Sequence, residues 1–183
     1  KNVELIHLSD ILQKDIRIIK DLKKKSYVLN NGIKDNSIKN LKKDKIFTFI
    51  YISNFFRYKG IHILLKAILL LNKKKLSKKF KESIIGNFTN QFTKNDLNNF
   101  LYENRNFNNV KFFTSLYGRE KFEHLSKSHA MIYPTKNDCF PICLLEAMSC
   151  GLPIISTYEG AIPDMIKNHY NGTLIKNSKL STV

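Results

Sequence analysis

From residue 46 onward the chain alternates short apolar runs with amphipathic segments, and this alternation restricts the fold more than any other feature of the sequence. The first run, residues 46–53, is rich in β-branched and aromatic side chains without a regular apolar–polar alternation, as expected of a strand buried on both faces. Five further runs follow, and helical patterns separate most of them. Strands that alternate with helices predict a parallel six-stranded sheet with helices on both faces, a Rossmann-like α/β fold.

Apolar periodicity and turn residues indicate where these elements begin and end. We predict strands at residues 46–53, 82–85, 110–113, 130–133, 153–157 and 173–175, and helices at 60–74, 93–104, 119–128, 141–150 and 163–168. Ligands of such folds bind at the carboxyl ends of the strands. The candidate binding loops are therefore residues 53–60, 86–90, 114–118, 134–142 and 157–162.

Length and composition fit one such domain together with part of another. The chain has 183 residues, 43% of them apolar, which is enough to fill a core. No apolar run reaches the roughly 18 to 20 residues of a membrane span. We expect residues 45–183 to form the Rossmann-like domain, with a truncated C-terminus, and residues 1–44 to contain the end of a preceding domain and the linker that follows it.

The formal charge of +16 comes almost entirely from the first part of the chain. Residues 1–81 carry 21 basic and 6 acidic side chains, whereas residues 82–183 carry 10 and 9. Three interpretations are open for the lysine clusters: solvated helix ends, a peripheral surface that contacts an anionic membrane, and a nucleic-acid surface. We do not expect nucleic acid, because no aromatic platform supports it. The clusters lie at residues 23–25, 42–45 and 73–81.

The loop and helix that follow the fourth predicted strand hold the densest set of chemically useful side chains. Pro141 falls in the first turn of the helix, so the N–H groups of Ile142 and Cys143 face the binding edge, where a helix N-terminus favours phosphate. Asp138 precedes the helix, and Glu146 lies about one and a half turns inside it. Because carboxylates repel phosphates, we expect these two to accept hydrogen bonds from sugar hydroxyl groups. A capping Asp and an ordinary helical Glu are the alternative.

This segment resembles the signature of family 4 glycosyltransferases, which have the GT-B fold. The signature has two glutamates separated by seven residues around a glycine-containing loop, and Asp138 and Glu146 have this spacing. The resemblance implies that the chain is the C-terminal, nucleotide-sugar-binding half of a GT-B enzyme. It extends in the family's order over almost the whole chain, through residues 7–9, 28–33, 52–60, 118–121, 147–157, 159–164 and 171–172.

The resemblance implies roles for individual residues. Glu146 is expected to hold the ribose diol of the donor, Asp138 to contact the donor sugar, and Lys59 to pair with the diphosphate as a point charge. Asn54 stands where the family usually has Arg, so the diphosphate would lose a charged partner unless Arg57 replaces it. The base is expected near residues 113–115. The backbone that would face the sugar and the phosphates belongs to Phe140, Pro141, Ile142 and Cys143.

The implied reaction is retaining transfer of a sugar from a UDP- or GDP-sugar to a glycan or lipid-linked acceptor, in cell-envelope polysaccharide synthesis of a bacterial type. Such a hexosyltransferase would need no metal or other cofactor, and the sequence contains no Asp-x-Asp metal motif. It would work in the cytoplasm, at the inner face of the membrane if the lysine clusters bind lipid. Alone, we expect the chain to bind a nucleotide diphosphate weakly and to transfer nothing.

Two other functions remain open. A non-catalytic domain that binds nucleotide sugars and regulates a partner would also tolerate Asn54 and Asp138. A GT-B sugar-nucleotide epimerase is disfavoured by the family 4 segments. Cys139, Cys143 and Cys150 lack the paired spacing of a metal site, so we expect free thiols in a reducing compartment.

Overall fold

A computed structural model describes residues 5–11, 26–104, 107–114 and 116–176, and its main element is a six-stranded parallel sheet. Two further strands, Leu5–His7 (β1) and Ser26–Val28 (β2), form a separate parallel pair. The six strands are Phe47–Ile52 (β3), Phe80–Ile85 (β4), Val110–Phe113 (β5), Ala130–Tyr133 (β6), Ile154–Thr157 (β7) and Gly172–Ile175 (β8). All of their pairings are parallel, which confirms the predicted α/β fold.

Helices connect the six strands, as the sequence pattern predicts. The helix after β3 buries Ile61, Leu64, Leu65 and Ile68, which recur at helical spacing and face the core. The next helix begins with a capping box, in which Thr93 Oγ1 accepts from Asp96 N at 3.2 Å and Asp96 Oδ2 accepts from Thr93 N at 2.7 Å. In chain order the helices are Ile61–Lys73 (α1), Lys94–Glu103 (α2), Gly118–Lys127 (α3), Ile142–Ser149 (α4) and Ile162–Met165 (α5).

Two element boundaries differ from the prediction by more than one residue. Strand β4 begins at Phe80, two residues earlier than predicted, because Phe80 is buried and pairs with Phe47 although it follows a lysine-rich stretch. Helix α5 ends at Met165 instead of residue 168, because Ile166 adopts an extended conformation with φ −112° and ψ 122°. The lysine cluster at residues 23–25 lies outside the described residues.

The strand order β5-β4-β3-β6-β7-β8 places the first strand of the sheet in its middle. The chain runs outward from β3 through β4 to β5, and then returns to β6 on the other side of β3. The loops after β3 and β6 therefore leave the sheet in opposite directions, which opens a crevice at the carboxyl edge. None of the helices in the described ranges is long and apolar enough to cross a membrane.

The short strands β1 and β2 stand apart from the six-stranded sheet. A hydrogen bond joins this region to the main domain, from Ile11 N to Asp164 Oδ2 at 3.3 Å. The predicted division of the chain at residues 44 and 45 stays a prediction.

Candidate active site

The loops that follow β3, β4, β5 and β6 enclose a cleft of about 390 Å³ at the carboxyl edge of the sheet. The cleft lies where the strand order changes direction, which is where open α/β sheets bind their ligands. Among the predicted site residues that the structure describes, Glu146, Arg57 and Phe113 do not line it. Those that do are Asn54, Lys59, Asp138, Phe140, Pro141, Ile142 and Cys143.

A largely buried cluster of polar side chains joins the two sides of the cleft. Nζ of Lys59, from the loop after β3, lies 2.5 Å from Oδ2 of Asp138, from the loop after β6. The phenol of Tyr133, at the end of β6, donates to the same oxygen at 2.6 Å. Burial raises the pKa of Tyr133, so the phenol remains a protonated donor. Two donors therefore fix the Asp138 carboxylate, a contact that the sequence analysis did not predict.

Close packing of the two loops fixes the position of this cluster. Gly60 has a φ of 83°, and a Cβ there would lie 2.0 Å from the carbonyl oxygen of Pro134, so glycine is required. The carbonyl oxygen of Tyr58 accepts from Lys136 N at 2.8 Å and from Thr135 Oγ1 at 3.1 Å. These contacts join the loop that carries Lys59 to the loop that carries Asp138.

The loop at residues 157–162, which we predicted among the binding loops, supports the cleft but does not line it. At Gly160, a Cβ would lie 2.0 Å from the carbonyl oxygen of Asp138. The backbone N–H of Ala161 donates to the carbonyl oxygen of Cys139 at 2.7 Å. Residues 160 and 161 therefore hold the turn between Asp138 and α4 from behind, and contact of this loop with a ligand stays a prediction.

Helix α4 begins at the cleft, as the sequence predicts. Pro141 precedes its first residue, no side chain caps it, and its first turn contains no acidic residue. The first N–H groups of a helix have no intrahelical acceptor, and here Ile142 and Cys143 line the cleft. With the partial positive charge of the helix N-terminus, this region favours an anion in the same cleft as Lys59.

The cysteines in this region have different environments. Burial raises the pKa of the Cys143 thiol to about 12, and the carboxylates of Asp138 and Glu146 add to the shift. A neutral thiol is a poor nucleophile, so Cys143 contributes shape and not reactivity to the cleft. Cys139 is exposed and Cys150 is half-buried. Among the described residues, no group of three or more His, Cys, Asp and Glu side chains is placed to hold a metal ion.

Glu146 lies on α4 and its carboxylate is held by α3. Nζ of Lys121 lies 2.6 Å from Oε1 of Glu146, and the two side chains are only 18% and 16% exposed. Lys121 lines the cleft, so Glu146 is connected to the cleft through this lysine. No site role was predicted for Lys121 from the sequence. Lys121 follows the predicted binding loop at residues 114–118 by about one helical turn, and this short distance could have indicated a place in the cleft.

Polar side chains from three loops meet on the other side of the cleft. Asn54 is exposed, and its Oδ1 lies 3.4 Å from both N and Nδ2 of Asn87. The Asn87 amide also donates to the Tyr117 hydroxyl at 3.1 Å. Arg57 is exposed and does not line the cleft, so the structure does not support Arg57 as a replacement for the charge that Asn54 lacks. Asn87 and Tyr117 were not predicted individually, although both lie in predicted binding loops.

Of residues 113–115, which we expected near the base of the donor, the structure describes the first two. The Phe113 ring packs against His124, with ring centroids 4.4 Å apart, and these side chains line a separate cavity. Ser115 lies outside the described residues. The next residues, Leu116 and Tyr117, do line the cleft. On this stretch, Leu116 and Tyr117 are therefore the described side chains that a bound base could contact.

A family model described as glycosyl transferases group 1 matches residues 32–181. The chain belongs to this family. Among curated proteins, the chain is similar to an uncharacterized glycosyltransferase of Methanocaldococcus jannaschii, with 26% identity over 170 residues. That alignment covers 86% of the chain and 41% of the archaeal protein.

Solved structures of other proteins share the fold. WaaG, a glycosyltransferase involved in lipopolysaccharide biosynthesis, has a TM-score of 0.78 at 20% identity, covering 100% of the chain and 53% of WaaG. HepE of Anabaena in complex with UDP-glucose has a TM-score of 0.73 at 18% identity, covering 97% of the chain and 52% of HepE. The chain therefore has the fold of one Rossmann-like half of a GT-B glycosyltransferase, and it spans about half the length of these relatives.

Proposed function

We propose that the chain is the donor-binding half of a retaining family 4 hexosyltransferase that uses a UDP- or GDP-sugar. The observation that carries this proposal is the cleft at the switch point of the sheet, where Lys59, Asp138 and the uncapped N-terminus of α4 converge. Cations and helix N–H groups suit a diphosphate, and a fixed carboxylate suits sugar hydroxyl groups. The complex of HepE with UDP-glucose supports a uridine donor.

In this proposal each part of the donor has its own partner. The diphosphate lies at the N-terminus of α4 beside Lys59, the donor sugar lies against Asp138, and the ribose lies toward Glu146. As the bond to the anomeric carbon breaks, negative charge grows on the departing diphosphate. Lys59, Ile142 and Cys143 all line the cleft, so the ammonium and the N–H groups at the helix N-terminus can stabilise this charge as it develops in the transition state.

In this arrangement a bound donor must break the Lys59–Asp138 ion pair, which costs free energy. The two side chains are 19% and 11% exposed, so their contact is only weakly screened by solvent. A bound diphosphate would draw the ammonium of Lys59 from the carboxylate, and the freed carboxylate oxygen would accept from a sugar hydroxyl. Tyr133 holds Asp138 in place during this exchange, because it donates to the same carboxylate at 2.6 Å. We propose no metal or other cofactor.

We further propose a glycan or lipid-linked acceptor in cell-envelope polysaccharide synthesis, with the protein in the cytoplasm at the inner face of the membrane. The lysine cluster at residues 73–81 joins the end of α1 to the start of β4, at the edge of the sheet opposite the cleft. A membrane bound there would leave the donor cleft open to water. Co-sedimentation with anionic vesicles that is lost in high salt is the expected result. No sedimentation at low salt would exclude this contact.

Titration calorimetry of the chain with UDP, GDP and ADP tests the donor site. We expect one of the three to bind, and Lys59→Met to weaken that binding about tenfold or more, the equivalent of about 1.4 kcal/mol. Lys66→Met is the matched control, because Lys66 is exposed on α1 and does not line the cleft. Equal losses in the two variants, or no binding by the unmodified chain, would contradict the proposal.

One observation favours the second candidate, a non-catalytic domain that binds nucleotide sugars. Asn54 brings no charge to the cleft, and its side chain contacts Asn87. Transfer activity separates the candidates when the chain is joined to an acceptor-binding half. Loss of transfer in both Lys59→Ala and Glu146→Ala supports the enzyme, whereas a wild type that binds nucleotide and transfers nothing supports the binding domain.

A further inference from the structure

Lys121 is the second lysine of the cleft, and neither the donor-binding motif nor the family comparison assigns it a role. It lies on the second turn of α3, and its Nζ contacts Oε1 of Glu146 at 2.6 Å. The structure gives Lys121 no other hydrogen-bond acceptor within the described ranges. An ammonium has three N–H donors, so one is used by Glu146 and the other two can reach a ligand.

A second ion pair on the same helix shows what an ordinary surface pair looks like in this chain. Arg119 and Glu123 are 3.1 Å apart, and their side chains are 85% and 37% exposed. Lys121 and Glu146 are 18% and 16% exposed, and they join two helices instead of two turns of one. A pair removed from water pays a desolvation cost that its Coulomb attraction often fails to repay. Stability alone therefore gives little reason for a largely buried pair beside the cleft.

We propose that Lys121 is a further donor-binding residue, which orients the Glu146 carboxylate toward the ribose and donates to the oxygens between the ribose and the first phosphate. This inference rests on the proposed function and names a residue of the same site. Its physical basis is charge: Asp138 already balances Lys59, and a nucleoside diphosphate brings several negative charges. Lys121 supplies the second cation, at the ribose end, where Glu146 alone would repel the phosphates.

Its placement agrees with that role. Tyr117 lies one helical turn before Lys121, on the same side of α3, and both side chains line the cleft. Tyr117 is 66% exposed, so its ring is accessible to a base. A nucleoside that contacts Tyr117 with its base would bring its ribose toward Lys121 and Glu146. The opposite end of the cleft, at Lys59 and α4, would then take the rest of the diphosphate.

Calorimetry with a phosphate series tests the role of Lys121. The probes are the nucleoside diphosphate that binds most tightly among UDP, GDP and ADP, and the matching nucleoside without phosphate. We expect Lys121→Met to weaken diphosphate binding about tenfold and nucleoside binding less than about threefold, and Lys121→Arg to restore most of the diphosphate affinity. Arg119→Met, which removes the exposed cation of the same helix, should leave both affinities unchanged.

A double-mutant cycle with Glu146→Gln tests the contact between the two side chains. If Lys121 orients Glu146, the loss caused by Lys121→Met should be smaller in the Glu146→Gln background. A purely structural role would lower the melting temperature and weaken both probes equally, and this result would overturn the inference. Unchanged diphosphate affinity in Lys121→Met would overturn it as well, while leaving the proposed function intact. A wild-type chain that binds no nucleotide would instead remove the proposed function, and this inference with it.

Discussion

Glu82 is a buried carboxyl group without a partner, and its replacement by Gln should change how stability depends on pH. Glu82 lies on β4, the second strand from one edge of the sheet, and is 1% exposed. Neither carboxylate oxygen has a hydrogen-bond partner among the described residues. Burial raises the pKa of Glu82 well above its ordinary value of 4.5. The folded protein therefore keeps this group neutral at a pH where the unfolded chain ionises it.

The sign and size of the effect follow from this difference in pKa. Below pH 4.5 both states are protonated and Glu82 contributes no pH dependence. As pH rises above that value, the unfolded chain releases a proton that the folded protein retains, so the free energy of unfolding falls. The loss approaches about 1.4 kcal/mol per pH unit while the folded carboxyl stays protonated. Glu82→Gln cannot ionise, so its stability relative to the wild type should rise with pH above 4.5 for as long as the folded wild-type carboxyl stays protonated.

Urea denaturation of both proteins at pH 5, 6 and 7 measures this difference. His124 lines the same cavity as Glu82. Burial lowers the pKa of His124, and the charge of Lys127 lowers it further. The contribution of His124 to stability is therefore lost as pH falls below 6.5. Repeating the comparison in a His124→Gln background removes that contribution. Glu103→Gln, an exposed site on α2, is the matched control and should show no pH-dependent gain. A constant difference between wild type and Glu82→Gln at all three pH values would refute the reasoning.

Three further predictions concern the backbone and the cleft. A methyl group at Gly60 would lie 2.0 Å from a carbonyl oxygen, whereas at Gly151, also at positive φ, it would meet nothing within 4 Å. Gly60→Ala should therefore lose about 3 kcal/mol in urea unfolding and Gly151→Ala about 1 kcal/mol; equal losses would contradict the steric argument. Thr93→Ala removes the capping box of α2 and should cost about 1 kcal/mol by the same measurement, and no change in stability would contradict that role. Iodoacetamide should modify the exposed Cys139 well before Cys143, as read by mass spectrometry, because burial raises the pKa of the Cys143 thiol to about 12; faster modification of Cys143 would contradict this.

The sheet and most helices could be predicted because their signals are local. The run at β3, the apolar face of α1 and the capping box at Thr93 each depend on residues close together in sequence. The start of β4 was missed for the opposite reason. Phe80 belongs to the strand because it pairs with Phe47 on β3, and a partner so distant in sequence cannot be inferred from the lysine-rich residues beside Phe80.

Seven residues of the cleft could be predicted from the sequence, but the contacts of these residues could not. Lys59 and Asp138 are 79 positions apart in sequence, and Lys121 and Glu146 are 25 apart. Lys59 meets Asp138 because β3 and β6 are neighbours in the sheet, and Lys121 meets Glu146 because α3 lies beside α4. Both arrangements follow from the strand order. This matters for the chemistry, because both carboxylates expected to bind hydroxyl groups are paired with lysines. A donor must then exchange partners with two ion pairs, so its affinity should depend on the charge balance of the whole cleft and not on Lys59 alone.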